Sequence, residues 1–290
     1  MGNFWLKIPS SPLWDPYPTS TYTPKDLRST LRNIQCSSNS ISPNRKFRIV
    51  ICACGRDGKS SSINNILAAL EGKYAQTANV GGQDEHVTQA YTEYTMPIDN
   101  ENNSYVICDT TGLRDGVSNE DLQVQTEAIK AAILGKFQQE EEMIYANLTV
   151  AELEAKQIRQ DRAVGVIFVI DVRKVWKETI DSSEAFQSMK TILEFAQNKN
   201  ITVSCLLTHC DELDSAVKQN MSKIYASRTV ESARQMLESK FKGFPGNRIF
   251  PIVNYTERLY VNDPMMVQSL FALNHIMSDI HSKLKTKRPL

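Results

Sequence analysis

The sequence has no hydrophobic run long enough to cross a membrane. None of its apolar stretches approaches the roughly 18 residues that a membrane-spanning helix needs, and the first residues lack the apolar core of a secretory signal peptide. We therefore expect a cytoplasmic protein with no transmembrane segment. The first six residues begin like an N-myristoylation signal, but Leu6 stands where Ser or Thr is expected, so acylation of Gly2 stays undecided.

The chain also has no excess of charge of either sign. Lys and Arg together number 33, and so do Asp and Glu, which gives a formal net charge of zero at pH 7. This balance produces no overall field that would attract nucleic acid or an anionic membrane. We therefore expect no nucleic-acid partner, and any recognition of phosphate must depend on a local cluster of residues.

Cysteine is sparse, and its spacing lacks the paired pattern of a zinc site. The six cysteines are Cys36, Cys52, Cys54, Cys108, Cys205 and Cys210. Most lie in or beside predicted buried strands, so we interpret them as reduced core residues of an intracellular protein. Metal binding or redox sensing by Cys52 and Cys54 is the alternative, but the alternation of a strand explains their spacing more simply.

The amino-acid composition of the sequence changes near residue 45. Residues 1–45 are rich in Pro, Ser, Thr and Asn, and we interpret them as an N-terminal extension with a short helix over residues 25–34. Over residues 46–285, apolar runs alternate with amphipathic stretches. The predicted strands are Phe47–Cys54, Val87–Met96, Tyr105–Asp109, Val164–Asp171, Thr202–Thr208 and Arg248–Val253. This order predicts an α/β fold with a mostly parallel central sheet flanked by helices on both faces.

The segment behind the first predicted strand is typical of a phosphate-binding loop. It runs from Ala53 to Ser60 and precedes a helical pattern, which is the strand, loop and helix order that the mechanism requires. Lys59 is expected to reach the β- and γ-phosphates as a catalytic residue, and the Ser60 hydroxyl to bind Mg²⁺. The residues expected around the phosphates are Gly55, Arg56, Asp57, Gly58, Lys59, Ser60 and Ser61. The motif usually begins with glycine, and this chain has Ala53 there.

A second motif, Asp109 to Gly112, follows the strand Tyr105–Asp109 and fits the pattern D-x-x-G. Open α/β sheets bind their ligands at the carboxyl ends of the strands, where this segment lies. We expect Asp109 to hold Mg²⁺ through water and the Gly112 N–H to meet the γ-phosphate. A glycine there lets the backbone approach the phosphate and swing when it leaves.

A third motif, Thr208 to Asp211, stands in the place of a guanine-reading element. The Asp211 carboxylate can accept hydrogen bonds from N1 and N2 of guanine, a pairing that adenine cannot offer. His209 replaces the usual lysine, which puts the affinity in doubt more than the identity of the base. Asn254 and Tyr255 follow the last predicted strand, where a loop is expected to close over the base through the ring of Tyr255 and the backbone of Asn254.

The remaining element of a nucleotide switch is a mobile threonine that completes the Mg²⁺ shell. Thr88 is our candidate for this metal-binding and catalytic position, with Thr77 and Thr92 as alternatives. An ordinary structural role explains Thr88 equally well. Together, the motifs in this order predict a P-loop NTPase of the guanine-nucleotide-binding class, a G domain with Mg²⁺ and GTP or GDP as ligands.

Several stretches beyond these motifs resemble the interferon-induced protein 44 family. They are Gly58–Ser61, Cys108–Leu113, Leu206–Asp211, Tyr225–Thr229, Val253–Glu257 and Asn262–Pro264. The resemblance covers about Phe47 to Lys283, and the Thr-His-x-Asp form of the third motif also resembles that family. It implies an interferon-induced, GTP-binding protein of the cytosol that acts in innate, often antiviral, immunity.

Hydrolysis of GTP needs a positioned water, and a glutamine after D-x-x-G commonly holds it. This chain has Leu113, Arg114 and Asp115 there. We therefore expect a GTPase with slow hydrolysis of GTP to GDP and phosphate, raised by a homodimer or a protein partner. The alternative is a nucleotide-independent interaction protein, a pseudo-GTPase on the same fold. An ATPase or nucleoside kinase is disfavoured because Asp211 has a role only with guanine.

Overall fold

A computed structural model describes residues 22–41, 45–73, 77–78, 90–98, 104–241, 244, 246–254 and 262–286. Within these residues the chain forms one seven-stranded sheet with helices on both faces. The strands are β1 (Phe47–Ala53), β2 (Ala90–Thr95), β3 (Tyr105–Asp109), β4 (Glu141–Glu142), β5 (Gly165–Asp171), β6 (Thr202–Thr208) and β7 (Ile249–Pro251). Their order across the sheet is β4-β2-β3-β1-β5-β6-β7.

Strands β3, β1, β5, β6 and β7 are parallel, whereas β2 runs antiparallel to both of its neighbours. The helices are α1 (Pro24–Ile41), α2 (Lys59–Glu71), α3 (Asn119–Ile133), α4 (Val150–Ala155), α5 (Val172–Trp176), α6 (Glu184–Asn198), α7 (Cys210–Leu213), α8 (Ser215–Gln219), α9 (Arg228–Lys240) and α10 (Asp263–Thr286). Short 3₁₀ turns cover Tyr145–Asn147, Thr179–Ser182, Met221–Ala226 and Gly246–Arg248. The predicted fold class, a mostly parallel sheet covered on both faces, is confirmed.

The core has two layers, one on each face of the sheet. Every residue of β1, β5 and β6 is buried, as expected for central parallel strands that are covered on both sides. Along β1, Val50 and Cys52 contribute to the layer beneath α3 and α6, while Ile49 and Ile51 contribute to the layer beneath α1, α2 and α10. This alternation follows from the two-residue period of a strand.

Helix α1 is longer than the sequence predicted. The expected helix covered residues 25–34, and the observed one continues to Ile41. Leu27, Leu31 and Ile34, at helical spacing, are buried in the core layer that also contains Ile49 of β1. Residues 1–21 of the predicted extension lie outside the described residues, so the domain boundary at residue 45 stays a prediction.

The predicted strand boundaries agree with β1, β3, β5 and β6 to within a residue. The last predicted strand, residues 248–253, is shorter in the structure, because β7 pairs with β6 only from Ile249 to Pro251. The second one was expected to start at residue 87, and the described part of it begins with Ala90.

No helix in the described ranges is long and apolar enough to span a membrane. All six cysteines are free, and only Cys36 is exposed. Burial raises the pKa of Cys52 to about 12, so this thiol stays protonated at neutral pH. The described residues contain no group of three or more His, Cys, Asp and Glu side chains arranged to hold a metal ion.

Candidate functional site

The loop between β1 and α2 lies at the carboxyl edge of the sheet. Gly58, the last residue before α2, has a φ of 87°, a left-handed conformation that side-chain-bearing residues rarely adopt. A Cβ atom at this position would lie 2.8 Å from the Nδ2 atom of Asn254. The sequence therefore needs glycine at residue 58 for two reasons, the backbone conformation and the close neighbour.

Ala53, the unusual first residue of the motif, is the last residue of β1. Its side chain is fully buried in the core, and it pairs with Val169 of β5. Its carbonyl accepts a hydrogen bond from the Leu113 N–H at 3.0 Å, and Gly55 N–H donates to the Leu113 carbonyl at 2.7 Å. The loop is thus tied to the D-x-x-G segment through the backbone, and an alanine fits because residue 53 keeps strand geometry.

Lys59 begins α2, and its ammonium group contacts the carboxylate of Asp109 at the end of β3. Both side chains are buried, with exposed fractions of 9% and 3%. The start of a helix carries partial positive charge, to which Lys59 adds a full one, and this combination favours an anion. Asp109 and the half-buried Ser60 supply a carboxylate and a hydroxyl oxygen, the hard donors that Mg²⁺ prefers, so this pair of residues fits the predicted metal.

Asp57 lies in the middle of the loop, but its side chain faces the protein interior. Its carboxylate is 2% exposed and pairs with the ammonium group of Lys174 at 2.5 Å. Burial raises the pKa of Asp57 to about 7, although Lys174 acts in the opposite direction. The Asp57 N–H donates to the Cys54 carbonyl at 3.2 Å. Asp57 was expected among the phosphate contacts, and in the structure its carboxylate and its N–H both have protein partners.

The third motif follows β6, two strands away from β1. The Thr208 hydroxyl donates to the Asp57 carbonyl at 2.8 Å. His209 has a φ of 58°, and its Nδ1 atom lies 3.0 Å from the Thr208 hydroxyl and 3.8 Å from the carboxylate of Asp171. Asp211 is half-buried at the start of α7, and desolvation raises its pKa. The motif is thereby held against the phosphate-binding loop.

Asn254 joins the end of the last strand to α2. Its side-chain amide donates to the Gly58 carbonyl at 3.3 Å and to the Ser62 hydroxyl at 3.2 Å, and its oxygen accepts from Asn65 at 2.9 Å. The predicted base contact by Asn254 involved its backbone, so its side-chain role in supporting the loop adds to that prediction. Tyr255 lies outside the described residues.

The candidate switch threonine Thr88 also lies outside the described residues. Of its alternatives, Thr77 donates its N–H to the side chain of Asn64 at 3.0 Å, and Thr92 pairs with Asp109 across β2 and β3. Both alternatives therefore have structural roles, and the choice among the three stays open. Of the other predicted site residues, Gly112 lies next to the loop, where a Cβ atom would be 3.6 Å from the Ala53 carbonyl oxygen.

Sequence reasoning missed a group of charged residues after β5. Asp171 ends this strand, and its carboxylate accepts hydrogen bonds from the N–H and the guanidinium of Arg173. Burial tends to raise the pKa of Asp171, but Arg173 lowers it overall. Arg173 also contacts Glu212, the neighbour of Asp211, which the sequence predicts to bind the base. The signal was available, because Asp171 is a carboxylate at the carboxyl end of a central parallel strand.

No model of a known protein family matches the chain. Among curated proteins, interferon-induced protein 44 from Mus musculus is 24% identical over 224 residues, which cover 76% of this chain and 51% of the relative. The Homo sapiens protein of that name is 24% identical over 87% of this chain and 56% of its own length. Interferon-induced protein 44-like from Homo sapiens is 25% identical over 76% of this chain and 48% of its own length.

The resemblance to interferon-induced protein 44 is confirmed. This chain spans about half the length of the curated relatives that it matches. Solved structures with a similar fold include a probable GTP-binding protein engB, with a TM-score of 0.44 and 13% identity over 81% of this chain and 99% of that one. Another is the bacterial selenocysteine-specific elongation factor EF-Sec, with a TM-score of 0.39 and 12% identity over 82% of this chain and 29% of that one.

Proposed function

We propose that this protein binds guanine nucleotides together with Mg²⁺ and hydrolyses GTP slowly. The main support is the meeting of three motifs at one edge of the sheet. The phosphate-binding loop follows β1, Lys59 of that loop contacts Asp109 at the end of β3, and Thr208 at the end of β6 holds the loop's backbone. Asp211, three residues after Thr208, supplies the carboxylate for guanine.

Each part of the proposed site has its own role in binding the nucleotide. The N-terminal N–H groups of α2 and the Lys59 ammonium bind the phosphates. Binding requires Lys59 to leave Asp109, which frees this carboxylate, with Ser60, to hold Mg²⁺. Mg²⁺ held by these residues would supply positive charge next to the phosphates. Asp211 orients the base, and its raised pKa falls when guanine donates two hydrogen bonds to the carboxylate.

Slow turnover is proposed because the position after D-x-x-G offers no side chain to orient water. Leu113 is fully buried, and the backbone N–H of Arg114 donates to the side chain of Gln125 at 2.9 Å. Gln125 is itself fully buried, so its side-chain amide supports the loop backbone. A homodimer or a partner protein that supplies a cation would raise the rate.

A pseudo-GTPase is the second candidate, and the contact between Lys59 and Asp109 favours it. Asp109 already neutralises the lysine that would bind phosphate, which is expected of a loop with a purely structural role. We further propose, from the similarity to interferon-induced protein 44, that the protein is cytoplasmic, interferon-induced and active in an antiviral immune response.

Isothermal titration with GTP, GDP and ATP, with and without Mg²⁺, tests the proposal. We expect binding of GTP and GDP but not ATP, and loss of binding in Lys59→Ala. The matched control is Lys73→Ala, which removes a lysine whose side chain is 76% exposed. Mg²⁺-dependent GTP turnover that Lys59→Ala abolishes excludes the pseudo-GTPase. GTP binding that survives Lys59→Ala refutes the proposed site.

A further inference from the structure

Lys174 is the third residue of α5, the short helix that follows β5. Its ammonium group lies 2.5 Å from the carboxylate of Asp57 and 3.3 Å from the carbonyl oxygen of Gly55. These two acceptors flank Arg56 in the phosphate-binding loop. One lysine from outside the motif therefore holds the loop on both sides of this residue.

The loop needs such support because of its backbone. Arg56 has a φ of 67°, a conformation that costs free energy for a residue with a side chain. Such strain persists only where the surroundings fix it. Lys174 and the Thr208 hydroxyl both hold Asp57, the first through its carboxylate and the second through its carbonyl. Arg56 thus lies between two anchored neighbours.

We propose that Lys174 and Asp57 form a positioning pair that sets the affinity of the phosphate-binding loop for guanine nucleotides. This inference rests on the proposed function. Lys174 acts through the loop and not on the phosphates, since its ammonium is engaged with Asp57. It supplies from outside the motif a constraint that glycine-rich loops obtain from their own turn geometry.

The pair explains why a charged residue stands in the loop at all. Removing Lys174 leaves the Asp57 carboxylate, which is 2% exposed, without its compensating charge, whereas replacing both partners with apolar residues removes the buried charge. Loss of Lys174 alone therefore disturbs the loop more than loss of both partners. This coupling separates a positioning pair from two independent structural residues.

The charge state of Asp57 gives a second readout. The titratable groups that face Asp57 are Lys174, Asp171, Cys52, Cys54 and Cys205. Burial keeps the three thiols neutral by raising their pKa, and Asp171 stays ionised because its pKa is lowered. Because the pKa of Asp57 is about 7, its carboxylate loses charge as the pH falls through neutrality. The pair is then lost, and nucleotide affinity decreases.

The experiment measures GDP affinity by fluorescence with a mant-labelled nucleotide, together with thermal melting, for five proteins and one control variant. They are the wild type, Lys174→Met, Lys174→Arg, Asp57→Asn and the double variant Asp57→Val with Lys174→Met. Lys177→Met is the matched control, because Lys177 is an exposed lysine three residues further on. We expect Lys174→Met to weaken binding by on the order of 10- to 100-fold. Lys174→Arg should retain most of the affinity, since arginine can donate to both acceptors.

The double variant should bind more tightly than Lys174→Met. Affinity should fall between pH 8 and pH 6 in the wild type more than in Asp57→Asn, a comparison that cancels every pH effect shared by the two proteins. If Lys174→Met does not fold, the nucleotide affinity of Lys174→Arg and the pH profile of Asp57→Asn test the inference. Unchanged affinity in Lys174→Met and Asp57→Asn, or equal pH profiles, overturns the inference. A wild type that binds no guanine nucleotide refutes the proposed function instead.

Discussion

The Thr208 hydroxyl donates a hydrogen bond to the backbone carbonyl of Asp57 at 2.8 Å, across 151 residues of sequence. Thr208 is fully buried at the end of β6, and its hydroxyl also lies 3.2 Å from the Ile170 carbonyl oxygen at the end of β5. A single side chain thus connects the proposed base-reading motif, the central strand β5 and the phosphate-binding loop. Thr208 therefore connects the part of the proposed site that would bind the base to the part that would bind the phosphates.

Replacing Thr208 with valine keeps the shape of the side chain and removes the hydroxyl. We expect the free energy of unfolding to fall by about 1–2 kcal/mol, because the loop carbonyl loses a buried donor. Guanine-nucleotide affinity should fall as well. Urea unfolding and nucleotide titration measure both effects.

Thr202→Val is the matched control. Thr202 is buried at the other end of the same strand, and its hydroxyl has no hydrogen-bond partner among the described residues. Valine there should leave the stability unchanged or raise it, since a buried, unpaired hydroxyl is lost. If both variants have equal effects, the hydrogen bond of Thr208 to the loop is without consequence.

Asp211→Asn should change the preferred base. Asparagine offers a carbonyl oxygen and an amide, which pair with N1–H and O2 of xanthine but leave the N2 amine of guanine facing a donor. We expect GTP affinity to fall by roughly 100-fold or more and XTP binding to appear. Competition of mant-GTP by XTP measures this. Glu212→Gln is the control: its exposed pair with Arg173 contributes little, so an equal loss of GTP binding there contradicts a specific role for Asp211.

The sequence predicted the parts of this fold that depend on local pattern. Strand β5 was predicted over Val164–Asp171 because a parallel strand buried on both faces is a nearly continuous apolar run, and the observed strand covers Gly165–Asp171. The loop was found because glycine and lysine at that spacing have a specific mechanism. The local sequence pattern was therefore sufficient to predict most of the sheet and the phosphate-binding loop.

Contacts between distant segments were not predictable in this way. Helix α1 continues past residue 34 because Ser38 lies 2.9 Å from the Tyr105 hydroxyl and 3.1 Å from the His281 ring nitrogen. Lys174 meets Asp57 although 117 residues separate them. No periodicity in the chain encodes either contact, since each arises only when two elements pack together.

His275 should make the protein sensitive to acid. Its ring packs against Phe271 and Phe250 in α10 and β7, and its buried Nε2 atom has no hydrogen-bond partner in the described part of the chain. Burial lowers its pKa to about 4, below the value of about 6.5 for an unfolded chain. The unfolded state therefore binds more protons below pH 6.5, and stability falls from there towards pH 4.

His275→Leu removes this titration. Urea unfolding of the variant and the wild type at pH 7.5 and pH 5 gives two differences in stability. We expect the wild type to lose more stability on acidification than the variant does. Equal losses would mean that other groups, such as His281, account for the acid sensitivity.

Gly58→Ala tests the geometry of the phosphate-binding loop against a matched glycine. Gly58 has a φ of 87°, and a Cβ atom there would lie 2.8 Å from Asn254. Gly116 has a φ of 74°, and a Cβ atom there would have no neighbour within 4 Å, so Gly116→Ala carries the backbone cost of about 1–2 kcal/mol alone. We expect Gly58→Ala to cost more and to abolish nucleotide binding, while Gly116→Ala binds normally. Thermal melting and mant-GDP titration compare them, and equal behaviour of the two variants would show that the approach of Asn254 to the loop has no role.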